Sequence, residues 1–291
     1  NCLLSNSGLA IIGFDTAARF NEVRLISPTA RWSLNNALFV GSGGSANRLV
    51  VSNGGLVENI SGVIGGGAFT ASNNVVLVTG AGSTWSNSNT LRVGDVGPGN
   101  QLVVSNGGTV FTGTNLTVGV NTTFSLNNRV TVEGGTLRVT NVAGTAVYNV
   151  RRGTNVINAG LIEVDQLLVT NAAGLFEFNG GTLAVRNGTS GSGVGLGLRV
   201  GNGTNTAMFR LAGNGTNIVA GICTISSNAV LAGNGRLVGA LTVQAGGTVS
   251  PGTSIGKISL SVTPTLQGIV FMEISKNGAA LTNDQIEIVG P

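Results

Sequence analysis

The sequence has no histidine, and only two cysteines, five prolines, one tyrosine and eleven acidic residues in 291. Each shortage removes a class of chemistry. Without imidazole there is no Ser-His-Asp or Cys-His catalysis, no histidine metal site and no imidazole acid or base. Cys2 and Cys223 are too few for a disulfide framework or a thiolate zinc site. Charged residues are 9% of the chain, where an average soluble domain carries roughly a quarter. No apolar run approaches the ~18 residues of a membrane-spanning helix, so no membrane insertion of this segment is expected. The net charge of +4 rests on 13 Arg and 2 Lys scattered singly, apart from Arg151 and Arg152. Such scatter, with 4% aromatics, offers nucleic acid neither a basic face nor a stacking platform.

What fills the chain instead is glycine and asparagine, 48 and 33 residues respectively. Both weaken helices. Disorder does not follow, because 42% of the residues are hydrophobic, mean hydropathy is +0.35, and Val, Leu and Ile are spread evenly.

The sequence repeats itself. With Trp32 set over Trp85, an offset of 53 holds without gaps to Gly55 over Gly108, and 15 of the 24 positions are identical. The unit halves: an Asn opens a short apolar run at Asn21, Asn47, Asn74, Asn100 and Asn128, at spacings of 26, 27, 26 and 28. A Gly-Gly pair follows an apolar run at Gly54-Gly55, Gly107-Gly108, Gly134-Gly135, Gly180-Gly181 and Gly246-Gly247. Leu-Ala-Gly-Asn-Gly at Leu211 returns at Leu231, a spacing of 20, so the period shortens along the chain.

Short β-rich runs, frequent turn residues and no helical periodicity give an all-β chain. A period of 20–28 residues fits one coil of a parallel β-helix, and the length predicts about ten to eleven coils. Inward Val, Leu and Ile then stack on their equivalents above and below. Corner positions need φ > 0, which Gly takes freely and Asn tolerates. A repeated Asn can also hydrogen-bond along the stack. Charge is scarce because like charges one coil apart, near 5 Å, repel.

The run from Asn73 to Gly108, with Leu91-Arg92-Val93-Gly94 and Asn100-Gln101-Leu102-Val103-Val104-Ser105-Asn106-Gly107-Gly108, resembles the autotransporter-associated β-strand repeat. Val243 to Gly256, and Leu260 to Gly290 after it, are similar to the end of such passenger regions. The resemblance implies a right-handed parallel β-helix, exported or displayed at the surface or outer membrane of a Gram-negative bacterium. Residues 1–240 read as β-helix repeats, clearest in 1–137, and 241–291 as a passenger-like end segment. Asn21 is already in register with Asn74, so the chain reads as a mid-repeat fragment of a longer protein, whose remainder is one expected partner. Trp32, Gly54, Gly55, Trp85, Asn100, Gly107, Gly108, Asn128, Gly134 and Gly135 are structural repeat positions, the two Trp in the core or shielding a corner.

Motifs with chemical meaning are sparse. Gly252-Thr253-Ser254-Ile255-Gly256 matches the hydrolase nucleophile elbow but has no histidine and no following helix, so it reads as a turn. Gly191 to Gly197 reads as an irregular loop rather than a phosphate cradle. Calcium nonapeptide repeats are absent. Cys223, in Ile222-Cys223-Thr224-Ile225, is expected to be a buried free thiol.

One carboxylate pair needs weighing, since parallel β-helices also house polysaccharide lyases and hydrolases. Glu163 and Asp165 lie two apart in an alternating run and are expected to share an outer, solvated face. Glu177 one short coil on, and Arg151 and Arg152 upstream, complete the set. An arginine or a third carboxylate beside the pair in an outer groove would favour an enzyme. The expected function is a non-enzymatic structural or adhesin-like passenger segment, with surface glycans or other cells as its contacts and no cofactor. The alternative is a β-helix carbohydrate-active enzyme.

Overall fold

Val, Leu and Ile alternate with Ser, Thr and Asn in the repeat, and a computed structural model shows each such run as a short strand with its apolar side inward. The structure describes residues 2–121, 123–169, 171–190, 197–277 and 280–290. Among the described residues there is no helix, and the strands wind into a right-handed parallel β-helix of about eleven turns. At the usual strand spacing the rod is about 50 Å long.

Each turn crosses three faces, in the early turns with one short strand on each. The first turn places Cys2–Asn6 on the first face, Ala10–Ile12 on the second and Glu22–Leu25 on the third. Their parallel partners in the next turn are Ala30–Leu34, Leu38–Val40 and Arg48–Ser52. The stacking continues through residues 241–270, where Thr242 pairs with Thr265 and Val249 with Val270. An antiparallel hairpin, Ile274–Asn277 with Ala280–Asn283, stands outside the coil. Among the described residues no helix is long and apolar enough to cross a membrane.

The register explains why 53 is strict and 26 is loose. On the first face Trp32 stacks on Val57 and Val57 on Trp85, steps of 25 and 28 residues. On the second, Leu38 meets Gly62 and Gly62 meets Leu91, steps of 24 and 29. On the third, Asn47 to Asn74 to Asn100 takes steps of 27 and 26. Every face closes at 53 because two unlike coils alternate. Both tryptophans lie in the core column, Trp85 fully buried. Its indole fills the space that a side chain at Gly62 would occupy. The column continues through Val110, Leu137 and Ile162.

The Asn column is an internal ladder. Asn47 donates to Asn74 Oδ1 from both its backbone N–H (2.9 Å) and its Nδ2 (3.0 Å). Asn74 does the same to Asn100 Oδ1, at 2.9 and 3.0 Å. Asn100 donates its N–H to Asn128 Oδ1 at 2.8 Å. Asn47, Asn74, Asn100 and Asn128 have no solvent exposure, so each bond satisfies a group that burial would otherwise strand. The ladder packs where Gly13, Gly41, Gly65 and Gly94 end the second-face strands. A Cβ at Gly94 would overlap the Asn128 amide, and its φ of 72° suits glycine besides.

The corner asparagines with positive φ are a different set: Asn53, Asn73, Asn106, Asn127, Asn214 and Asn228. The Gly-Gly signature divides its labour. Gly54, Gly107 and Gly134 have φ near 80°, while Gly55, Gly108 and Gly135 press against the coil before them, Gly108 against Val78 O.

The register sharpens two details of the sequence. The repeat of Leu211 at Leu231 matches the second-face register, Thr216 to Arg236, but on the first face Phe209 stacks on Leu231 and Leu211 on Gly233. Leu102 and Val104 point into the core and Val103 points out; three apolar residues in a row leave the facing undecided in the sequence alone.

Candidate functional site

The carboxylate pair sits where a single strand, Gly153–Val169, runs around three faces without a loop. Ile162 and Val164 are buried, so Glu163 projects outward from the first face. Asp165 occupies the corner and is buried, not solvated as expected. Its Oδ2 accepts the N–H groups of Asn141 (2.8 Å) and Ala146 (3.3 Å), which ties the 141–146 loop to the next coil. Its Oδ1 lies 3.8 Å from Arg186 Nη1. Glu163 Oε2 lies 3.0 Å from Arg138 Nε.

Stacking brings these four residues together. In the outward column of the first face, Arg138 is followed by Glu163, Ala184 and Arg210 on successive rungs. At the corner, Thr140, Asp165, Arg186 and Ala212 each lie two residues beyond those four in the chain. Alanines at 184 and 212 leave out a long side chain in each column. The result is a surface depression of about 280 Å³ lined by Arg138, Glu163, Asp165 and Arg186, with Ala184 and Ala212 as its apolar part.

The rest of the expected cluster does not assemble. Glu177 pairs with Val156 on the third face, away from the depression, and Arg151 and Arg152 follow the second-face strand Val147–Val150. No further carboxylate among the described residues lines the depression. Among the described residues, no three His, Cys, Asp or Glu side chains group closely enough to hold a metal. Gly252 to Gly256 is the turn after Thr248–Pro251, as expected. Residues 191–196 of the Gly191–Gly197 stretch lie outside the described residues. Cys223 is fully buried, and burial pushes its thiol up to about 12.

Two features were missed in the sequence. Arg186 joins Asp165 only because the coil there shortens to 21 residues, Leu161 to Thr182. The other is a set of exposed phenylalanines on the loops between the second and third faces. Phe14, Phe69 and Phe124 are 70%, 61% and 50% exposed and lie 55 residues apart in each step. Phe69 and Phe124 meet across the intervening coil, ring centroids 5.7 Å apart. That interval, close to the repeat of 53, was the signal that could have found them.

No family model matches the sequence, and no curated protein or solved structure matches it.

Proposed function

We propose that the chain is a non-enzymatic structural segment of an exported or surface-displayed bacterial protein, of the adhesin-like passenger kind that its repeat resembles. Its work is mechanical. A continuous ladder of backbone, Asn and apolar stacks makes a stiff rod that keeps protease-sensitive backbone paired. The observation that carries the reading is the buried Asn ladder: it spends polar side chains on coil-to-coil cohesion and leaves none of them for chemistry.

The outer surface supplies contacts. Phe14, Phe69 and Phe124 recur along one edge, in the manner expected of weak, repeated contacts to surface glycans or other cells. Glu163 is held by Arg138, and one oxygen of Asp165, Oδ2, by two backbone N–H groups. The test is a timed digestion with trypsin, for which the chain offers 15 Lys and Arg sites. The rod survives intact for hours under conditions that degrade its urea-unfolded form in minutes. Equal digestion of both forms would refute the mechanical role.

A second reading, a β-helix carbohydrate-active enzyme, is favoured by one observation: two arginines stand beside the carboxylate pair in an outer depression. The two readings separate on whether the protein depolymerises acidic polysaccharide.

A further inference from the structure

We infer that the depression between Arg138, Glu163, Asp165 and Arg186 is a binding subsite for one neutral hexopyranose unit of a surface glycan. The inference rests on the proposed role of the chain as a rod that contacts glycans, and it names the place and the chemistry of one contact.

The volume sets the size of the ligand. About 280 Å³ falls just under the roughly 300 Å³ at which pockets for drug-sized molecules begin. One sugar ring fits, and its neighbours along a glycan remain in solvent. The charges set its class. Two guanidinium groups and two carboxylates cancel, so neither a uronate nor an amino sugar gains net attraction. A hydroxyl group both donates and accepts, and can therefore bridge an acid and a base that do not touch. Such a gap exists. Asp165 Oδ1 accepts no hydrogen bond among the described residues, and Arg186 Nη1 stands 3.8 Å from it. That is too far for a direct bond and close enough for one bridging hydroxyl.

The walls are preorganised. Asp165 is 2% exposed and fixed by the N–H groups of Asn141 and Ala146. Arg186 lies across the corner, with its guanidinium over Gly144 and its stem beside Gly213. Arg138 and Glu163 hold one another on adjacent rungs. Ala184 and Ala212 give the C–H face of a pyranose an apolar floor without a protruding side chain. Neutral sugar recognition needs this combination of fixed polar edges and a small apolar floor.

The test uses saturation-transfer difference NMR on the whole chain, with glucose, galactose and mannose as neutral probes and glucuronate and glucosamine as charged ones. A single ring of about a dozen heavy atoms predicts about millimolar affinity for a neutral hexose. Ala212→Leu fills the floor from the surface and weakens binding at least tenfold, while the circular dichroism spectrum and Tm stay as in the parent. Glu163→Gln keeps the shape and weakens binding about threefold or more. Failure of every neutral hexose to bind, or unchanged binding in Ala212→Leu, overturns the subsite. So does stronger binding of either charged probe. Failure of the subsite in a rod that resists protease leaves the structural role standing. Cleavage of a bound glycan refutes the non-enzymatic role and leaves the subsite in place.

Discussion

Removing one amide from the middle of the Asn ladder should cost more than any surface change in this chain. In Asn74→Ala, Asn47 loses the acceptor of both its backbone N–H (2.9 Å) and its Nδ2 (3.0 Å). Gly44 O loses its donor at 3.1 Å, and Asn100 Oδ1 loses one of two. Asn47 and Asn74 have no exposure, so water does not replace these partners without opening the coil. An orphaned buried donor costs about 1–3 kcal/mol, and two of them give about 2–6 kcal/mol. Partial relaxation favours the middle of that range, about 4 kcal/mol. Such a loss is a large fraction of the 5–15 kcal/mol by which domains are stable. The assay is urea unfolding followed by far-UV circular dichroism, with the midpoint read at constant slope. Asn36→Ala is the control: its side chain is exposed and accepts only the N–H of Ala37, and the expected effect is below about 0.5 kcal/mol. If Asn74→Ala matches Asn36→Ala, the ladder does not hold the coils together.

Three further substitutions follow from the same geometry. Val104→Asp puts a charge at a fully buried position and should cost several kcal/mol or prevent folding, while Val103→Asp, on the outer side of the same strand, should be mild in the same melt. Trp85 Nε1 donates to Asn59 Oδ1 at 2.7 Å, whereas Trp32 Nε1 is buried without a partner among the described residues. Trp85→Phe therefore destabilises by about 1–3 kcal/mol more than Trp32→Phe, measured by parallel urea titrations; equal losses would refute the distinction. The Cys223 thiol, raised by burial from 9.0 to about 12, stays unreactive to iodoacetamide at pH 8 until the chain unfolds. A raised folded-state value means full stability below pH 9 and a loss as pH rises from 9 toward 12, and Cys223→Val should flatten part of that decline. Tyr148, also raised by burial, adds a loss of the same sign above its ordinary value of 10.0.

Most of the architecture was legible because stacking forces equivalent residues into contact. The same constraint that repeats Asn47, Asn74 and Asn100 in space repeats them in sequence. The two coil types of the 53-residue unit were legible only as an average, since their extra residues fall at different corners on different faces. The site was harder. Between Gly153 and Val169 the chain bends around three faces within one strand, with no turn cluster to mark the corners. Glu177 therefore looked near Glu163 and lies on another face, while Asp165 looked solvated and caps a corner. Arg186 was invisible because its partner lies across a coil whose length departs from the repeat.

The central claim, that this rod does no chemistry, is tested most directly by incubating the purified chain with polygalacturonate, alginate and hyaluronan. Absorbance at about 235 nm reports the conjugated product of lyase elimination, and reducing ends report hydrolysis. The account predicts that neither signal rises above that of the heat-denatured protein. A saturable signal that disappears in both Glu163→Gln and Asp165→Asn would contradict it and identify the carboxylate pair as an active site.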